Sequence, residues 1–349
     1  MVRFSDLSLT AQTAFAELAE QAHVVEFHAA LSGFPGAFHK RTIKGREYWY
    51  FGYRDLDGKG RMAYVGPDSD RIRALVGRFV EGKNHRPLLP LTGAAMALGC
   101  EVVAAKHFRI IKRLAEYGFF RAGGLLIGTH AFIAIGNLLG VRWQSGQRTQ
   151  DVDFAHAGKN VSVALPANLQ LSVHDALTSL EMGLLPISQF DGGAGAQYRN
   201  PLDPELRLDF VTSAHRRGKA PVVLPELGLV LEPLKFMEFS LQDPTQGCVL
   251  GRAGACMVNL PDPARYAVHK LLVYGERPVR ERTKAGKDLL QAACLISFFA
   301  ERGPVESFNA AWRDALSRGR GWQRRASQGK AALLSLAPDL DDRSLWLGA

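Results

Sequence analysis

The sequence has few cysteines and no pairing pattern among them. Cys100, Cys248, Cys256 and Cys294 show no C-x-x-C spacing, which excludes a disulfide framework and argues against a structural zinc site. Free thiols fit a reducing compartment, so a cytoplasmic location is expected. The stretch from Met1 to Leu18 lacks the apolar core of a signal peptide. There is no G-x-x-x-x-G-K-[ST] loop, no G-x-S-x-G elbow and no protein-kinase signature. Internal repeats and low-complexity tracts are also missing. Gly123 to Val141 carries no Asp, Glu, Lys or Arg, but five glycines, His130 and Asn137 interrupt it. That pattern predicts a buried strand, a tight turn and a buried helix rather than a bilayer span, so no membrane partner is expected.

What is present reads as a globular chain. Its 349 residues exceed one usual domain, and 47% hydrophobic with 22% charged residues excludes disorder throughout. Lys and Arg number 43 against 34 Asp and Glu, a net charge of +9. This fits a polyanionic partner, RNA or a nucleotide, without proving one.

Three segments are expected: 1–85, 86–255 and 256–349. In the first, Ser8 to Ala22 has helical spacing. Tyr48, Trp49, Tyr50, Phe51 and Tyr53 then form an aromatic strand, Asp55 to Gly60 a turn, and Arg61 to Val65 a returning strand. Asp68-Ser69-Asp70 caps a helix to about Phe79. Basic residues interleaved with aromatics permit RNA contact, but such alternation is ordinary for a half-buried strand, which explains them more simply. After a linker at 83–91, the second segment predicts a helix over Leu91–Tyr117, strands at 149–155 and 206–213, and a loop over Gly192–Pro204. The third predicts helices over 263–275, 281–300 and 306–335. Arg313, Arg318, Arg320, Arg324, Arg325 and Lys330 surround Trp322 there, either to grip phosphates or as a solvated helix face.

The chemistry concentrates in T-Q-D-V-D-F. On a strand, Asp151 and Asp153 share one face while Val152 and Phe154 face the core. Two such carboxylates repel unless a cation lies between them, and Mg²⁺ suits hard oxygen ligands plus substrate phosphates. Gly128 and Thr129 close an apolar strand and open a helix, where backbone amides favour phosphate oxygens. In R-L-D-F-V, Asp209 lies opposite Leu208 and Phe210, together with Arg207 and Val211. Beside the first pair it would complete a two-metal carboxylate cluster. His130, His215 and His269 are not at metal-ligand spacings.

Gly128-Thr129, then Asp151-x-Asp153, then Asp209 resembles the nucleotidyltransferase fold of the DNA polymerase beta superfamily. Thr129 stands where many members have Ser, and the gap to Asp151 is longer than in compact members. Leu260 to Ala292 is similar to bacterial minimal nucleotidyltransferases, including abortive-infection toxin-type enzymes. Lys270, Arg277 or Arg282, Lys287 and Asp288 match the places of that pattern. The resemblance implies an α+β fold: a mixed sheet flanked by helices, with a small N-terminal hairpin module and a C-terminal helical region. It implies Asp151, Asp153 and Asp209 as metal-binding and catalytic residues, with Mg²⁺ or Mn²⁺. Gly128, Thr129, Lys270 and Lys287 would bind the nucleotide, with Asp288 orienting Lys287.

The implied reaction moves an NMP from an NTP to an acceptor hydroxyl and releases pyrophosphate. RNA, especially a tRNA 3′ end, is the leading acceptor; a protein side chain and a small molecule stay open. So does a non-catalytic RNA- or partner-binding protein that keeps the fold. The resemblance also allows a toxin neutralised by a cognate antitoxin.

Overall fold

A computed structural model describes residues 2–32, 36–54, 59–81, 88–147, 149–158, 172–188, 194–214, 220–277 and 282–347. The chain opens with β1 (Phe4–Asp6) and α1 (Leu9–Ser32). β2 (Gly36–Ile43), β3 (Arg46–Arg54) and β4 (Gly60–Pro67) make an antiparallel sheet, backed by α2 (Asp70–Glu81). Next come α3 (Leu88–Ala97), α4 (Ala105–Glu116), β5 (Gly124–Ile127), α5 (Gly128–Leu138), β6 (Val141–Trp143) and β7 (Asp151–His156). α6 (Val173–Thr178) precedes β8 (Leu185–Ser188), β9 (Ala194–Asn200), β10 (Asp203–Ser213), β11 (Val222–Leu224) and β12 (Leu229–Leu234). A short α7 (Met237–Ser240) and the hairpin β13 (Thr245–Gly251) and β14 (Gly254–Leu260) follow. The chain ends in α8 (Pro263–Glu276), α9 (Arg282–Glu301), α10 (Val305–Ser317) and α11 (Arg320–Leu336).

The architecture is α+β. Its main sheet runs β11-β12-β10-β7-β5, with β9 also on β10 and β8 beyond it. β10 is parallel to β7 and β12, while β5 is antiparallel to β7. Alternation along β7 and β10 explains their burial. Val152, Phe154, Leu208 and Phe210 are fully buried, and Phe154 stacks on Phe210 at 5.1 Å. The residues between them face the other way.

The run from Gly123 folds as a buried strand, a turn and a buried helix. Among the described residues no helix is long and apolar enough to cross a membrane. Ala11, Phe15, Leu18 and Ala22 of α1 pack with Cys248, Leu250, Ala255 and Met257 of the β13–β14 hairpin. All four cysteines are free. Asp262 caps α8 by accepting from the Arg265 amide at 2.9 Å, and Pro263 opens it.

Several elements differ from the sequence reading. The expected helix over Leu91–Tyr117 is two, α3 and α4, because Gly99 has φ +104° between them. The helix over 306–335 is likewise split at Gly319, with φ +114°. The loop expected over Gly192–Pro204 contains β9 and the start of β10. Gly195 lets β9 close on the Ile187 carbonyl of β8, where a side chain would collide. The aromatic hairpin gains a third strand, β2, joined to β3 through Lys44 and Gly45, both at positive φ. Much of the Asp55–Gly60 turn, most of the 83–91 linker, His215 and the side chains of Tyr53 and Arg282 lie outside the described residues. Of the cations around Trp322, Arg318 stacks on its ring, Arg325 pairs with Glu276, and Lys330 lies over Trp346. Arg313, Arg320 and Arg324 are exposed.

Candidate active site

Strand register assembles the carboxylates. β10 lies parallel to β7 with Arg207 beside Asp151 and Asp209 beside Asp153. All four side chains therefore share the face opposite the aromatic core. β5 runs on the other side of β7, with Ile127 opposite Asp153. Its continuation, Gly128, turns at φ +64° into α5 directly against the Asp153 carboxylate. α8 and α9 cover this end of the sheet. Tyr266 donates its hydroxyl to the Gly128 carbonyl at 2.6 Å, fixing the turn from α8. Together these elements line a cavity of about 490 Å³ that Asp151, Asp153, Asp209, Thr129, Lys284 and Lys287 enter. That size suits a small organic ligand.

The electrostatics are uneven. Burial raises the Asp153 carboxyl to about 6, and the neighbouring Asp209 and Asp151 charges add to the rise. Burial also raises Asp209, with Arg207 acting against it. The Arg207 guanidinium reaches Asp209 Oδ2 at 2.8 Å and Asp151 Oδ2 at 3.2 Å, so it bridges the two strands. Lys284 approaches Asp151 Oδ2 at 3.4 Å. Asp209 Oδ1 is buried with no hydrogen-bond partner among the described residues. Burial lowers the Lys287 ammonium, and nearby Lys270 lowers it further.

A family model described as "Nucleotidyltransferase" matches residues 105–317. That span is more than half of the chain and holds every residue of the cavity named above. The chain belongs to this nucleotidyltransferase family. Among solved structures, an antigenic nucleotidyltransferase-like protein from Paracoccidioides brasiliensis is 17% identical, with a TM-score of 0.37. The match covers 70% of this chain and 94% of that one. Among curated proteins, none matches.

The nucleotidyltransferase brings Gly128, Thr129, Asp151, Asp153, Asp209, Lys270 and Lys287 around one cavity. One of them sits differently from the sequence reading. Lys270 is 8% exposed and donates to Asp288 Oδ1 at 2.8 Å. Burial pulls its ammonium down, but the Asp288 carboxylate and Tyr266 more than offset this, and the net shift is upward. Asp288 therefore orients Lys270 and Arg277, not Lys287. Gly128 and Thr129 open α5 as expected, and the buried Thr129 hydroxyl faces Gln291 Nε2 at 3.4 Å. Sequence reasoning assigned no role to Arg207, Lys284, Tyr266 or Gln291. Only Arg207 left a usable signal, since it stands two residues before Asp209 on the same strand face.

Gly128 has no tolerated substitute. An added Cβ would lie 2.9 Å from Asp153 Cγ and closer still to Oδ2, at a φ that side chains rarely adopt. Gly128→Ala is expected to displace the carboxylate and lower kcat/KM about 10²-fold. Activity within threefold of the unsubstituted protein would contradict this.

The raised Asp153 carboxyl also predicts a stability effect. An acid whose folded pKa lies above its unfolded value destabilises the fold once ionised, so stability falls as pH rises from about 4 to about 6. Asp153→Asn should stabilise the metal-free protein by about 1–2 kcal/mol at pH 8, after allowance for partial solvent screening. The gain should vanish at pH 3.5, where the native carboxyl is protonated. Thermal unfolding at both pH values measures it.

Proposed function

We propose that the protein transfers a nucleoside monophosphate from an NTP to an acceptor hydroxyl, releasing pyrophosphate, with a divalent cation at the three carboxylates. The observation that carries the reading is the parallel register of β7 and β10, which sets Asp209 beside Asp153 on the face that also holds Asp151.

The donor set fits a hard cation. Asp153 has no ion-pair partner among the described residues, and Asp209 Oδ1 lacks a hydrogen-bond partner. In this conformation the three carboxylates are not gathered into a metal-binding group; cationic side chains stand on two of them instead. Arg207 and Lys284 supply positive charge to Asp151 and Asp209 in this conformation. Asp151, Asp153 and Asp209 would hold Mg²⁺ or Mn²⁺, which when bound supplies charge neutralisation at the phosphates.

The chain's own groups do the rest. The amides opening α5 at Gly128 and Thr129 receive phosphate oxygens, helped by the helix dipole. Lys287 adds an ammonium with no ion pair among the described residues. Lys270, neutralised by Asp288, contributes mainly by holding α8 against α9. Asp209 Oδ1 takes the acceptor's hydroxyl proton. Catalysis then rests on positioning and electrostatics. RNA is the acceptor we favour, consistent with the excess of basic residues.

Pyrophosphate release tests the reaction class. Each NTP is incubated with Mg²⁺ and total RNA, beside an EDTA control and Asp209→Asn. Release with at least one NTP, lost in both controls, is the expected result. No release with any NTP and either metal would overturn the proposal.

A further inference from the structure

The β2–β4 sheet has two unlike faces. Alternation and the observed register place Phe38, Lys40, Trp49 and Phe51 on one side. There Phe38 and Phe51 meet Phe79 of α2 at 5.1 and 5.8 Å, forming a small core. The acids collect on this side too. Glu47 and Asp68 pair with Lys40, and Asp68 accepts from the Trp49 indole at 2.8 Å.

The opposite face carries Arg41, Arg46, Tyr48, Tyr50, Met62 and Tyr64. Among the described residues of these strands it carries no Asp or Glu. The rings cluster: Tyr64 lies 6.1 Å from Tyr48 and 5.6 Å from Tyr50, with its plane inclined to theirs by 51° and 65°. Arg41 stands over Tyr50 at 5.6 Å. Tyr64 is 58% exposed and Met62 40%. Arg41 and Arg46 are exposed and make no ion pair among the described residues. Gly52 lies at the centre of this face, where a Cβ would strike Met62 and His39.

We infer that this face docks single-stranded nucleic acid, stacking successive bases on Tyr64, Tyr50 and Tyr48 while Arg41 and Arg46 meet the phosphates. Charge complementarity selects the occupant. An apolar protein partner would gain nothing from exposed, unpaired guanidiniums, whereas a polyanion with exposed ring faces uses both features. Double-stranded nucleic acid keeps its bases stacked on each other and offers no ring faces to a flat sheet. RNA and DNA single strands share this chemistry. The inference rests on the proposed transfer reaction only for its purpose, which is to present an acceptor strand.

The test is fluorescence anisotropy of fluorescein-labelled twelve-nucleotide RNA and DNA, with a hairpin duplex as the third arm, against the full chain. Tyr50→Ala/Tyr64→Ala should weaken single-strand binding about 10²-fold, the loss of two stacked bases. Tyr50→Phe/Tyr64→Phe keeps the rings and should bind within threefold of the unsubstituted protein, which separates stacking from misfolding. Arg41→Gln/Arg46→Gln should make the slope of log K against log salt shallower by about 1.4, from two lost phosphate contacts. Binding of RNA alone, or of both single strands, supports the inference. Equal affinity in the alanine variant, preference for the duplex, or no binding would overturn it. Pyrophosphate release without strand binding sinks this inference alone, while strand binding without release sinks only the proposed reaction.

Discussion

Replacing Asp288 by Asn is expected to destabilise the protein by about 3–5 kcal/mol, the usual cost of stranding a buried charge. Asp288 is 2% exposed and lies between two cations, Lys270 at 2.8 Å and Arg277 at 2.7 Å. Burial pushes its carboxyl up, but Lys270 and Arg277 overcome that and hold it below the usual carboxylate range. Its contribution is therefore present above about pH 4 and is lost as pH falls through the lowered value. An amide in its place leaves the Lys270 ammonium buried between α8 and α9 without a counter-charge. The melting temperature should fall by about 10 °C at pH 7, with a much smaller difference near pH 2. Lys270→Met/Asp288→Leu should lose less than the sum of the single changes, because neither buried partner of that pair then remains charged. A fall below about 1 kcal/mol for Asp288→Asn, the range of exposed ion pairs, would mean that the pair is solvated. Activity should fall with stability, since α8 also carries Tyr266, which holds the Gly128 carbonyl.

Asp151→Asn/Asp153→Asn acts in the opposite way. It should abolish transfer, by about 10³-fold or more, while leaving the metal-free fold intact or firmer. The magnitude follows from several kcal/mol of charge stabilisation at tenfold per 1.4 kcal/mol. The stability sign follows from the burial of the Asp153 carboxylate, which raises it to about 6 with a further push from Asp209 and Asp151. A variant that melts no lower yet transfers nothing marks a functional cluster rather than a structural one. Activity within tenfold of the unsubstituted protein would remove these carboxylates from the reaction. Arg207→Gln tests their setting by the same assay, since its guanidinium bridges Asp151 and Asp209.

The unequal legibility of these residues has physical causes. Asp151 and Asp153 were readable because a strand repeats every two residues, so one glance at T-Q-D-V-D-F gives the shared face. Asp209 stands out in R-L-D-F-V as a charge within an apolar strand. Its place beside Asp153 depends on a parallel register between β7 and β10 that no local pattern encodes. Lys270 matches the family pattern by its position in sequence, but its partner sits on another helix, eighteen residues on. Spacing within α8 cannot show a pairing between helices. The split helices at Gly99 and Gly319 turn on positive φ, which a lone glycine permits but does not announce. β9 was hidden by Gly195, whose missing side chain serves strand contact rather than a loop. The N-terminal aromatics showed their strand from sequence, yet only the observed register separates the acidic, packed face from the basic, open one.

The most direct measurement is incubation with each α-³²P-labelled NTP, Mg²⁺ and total RNA, beside Asp151→Asn/Asp153→Asn. The account predicts label in RNA with the unsubstituted protein and none with the variant, which would also name the base. Equal label with both proteins, or none in RNA, protein or small molecules, would contradict it.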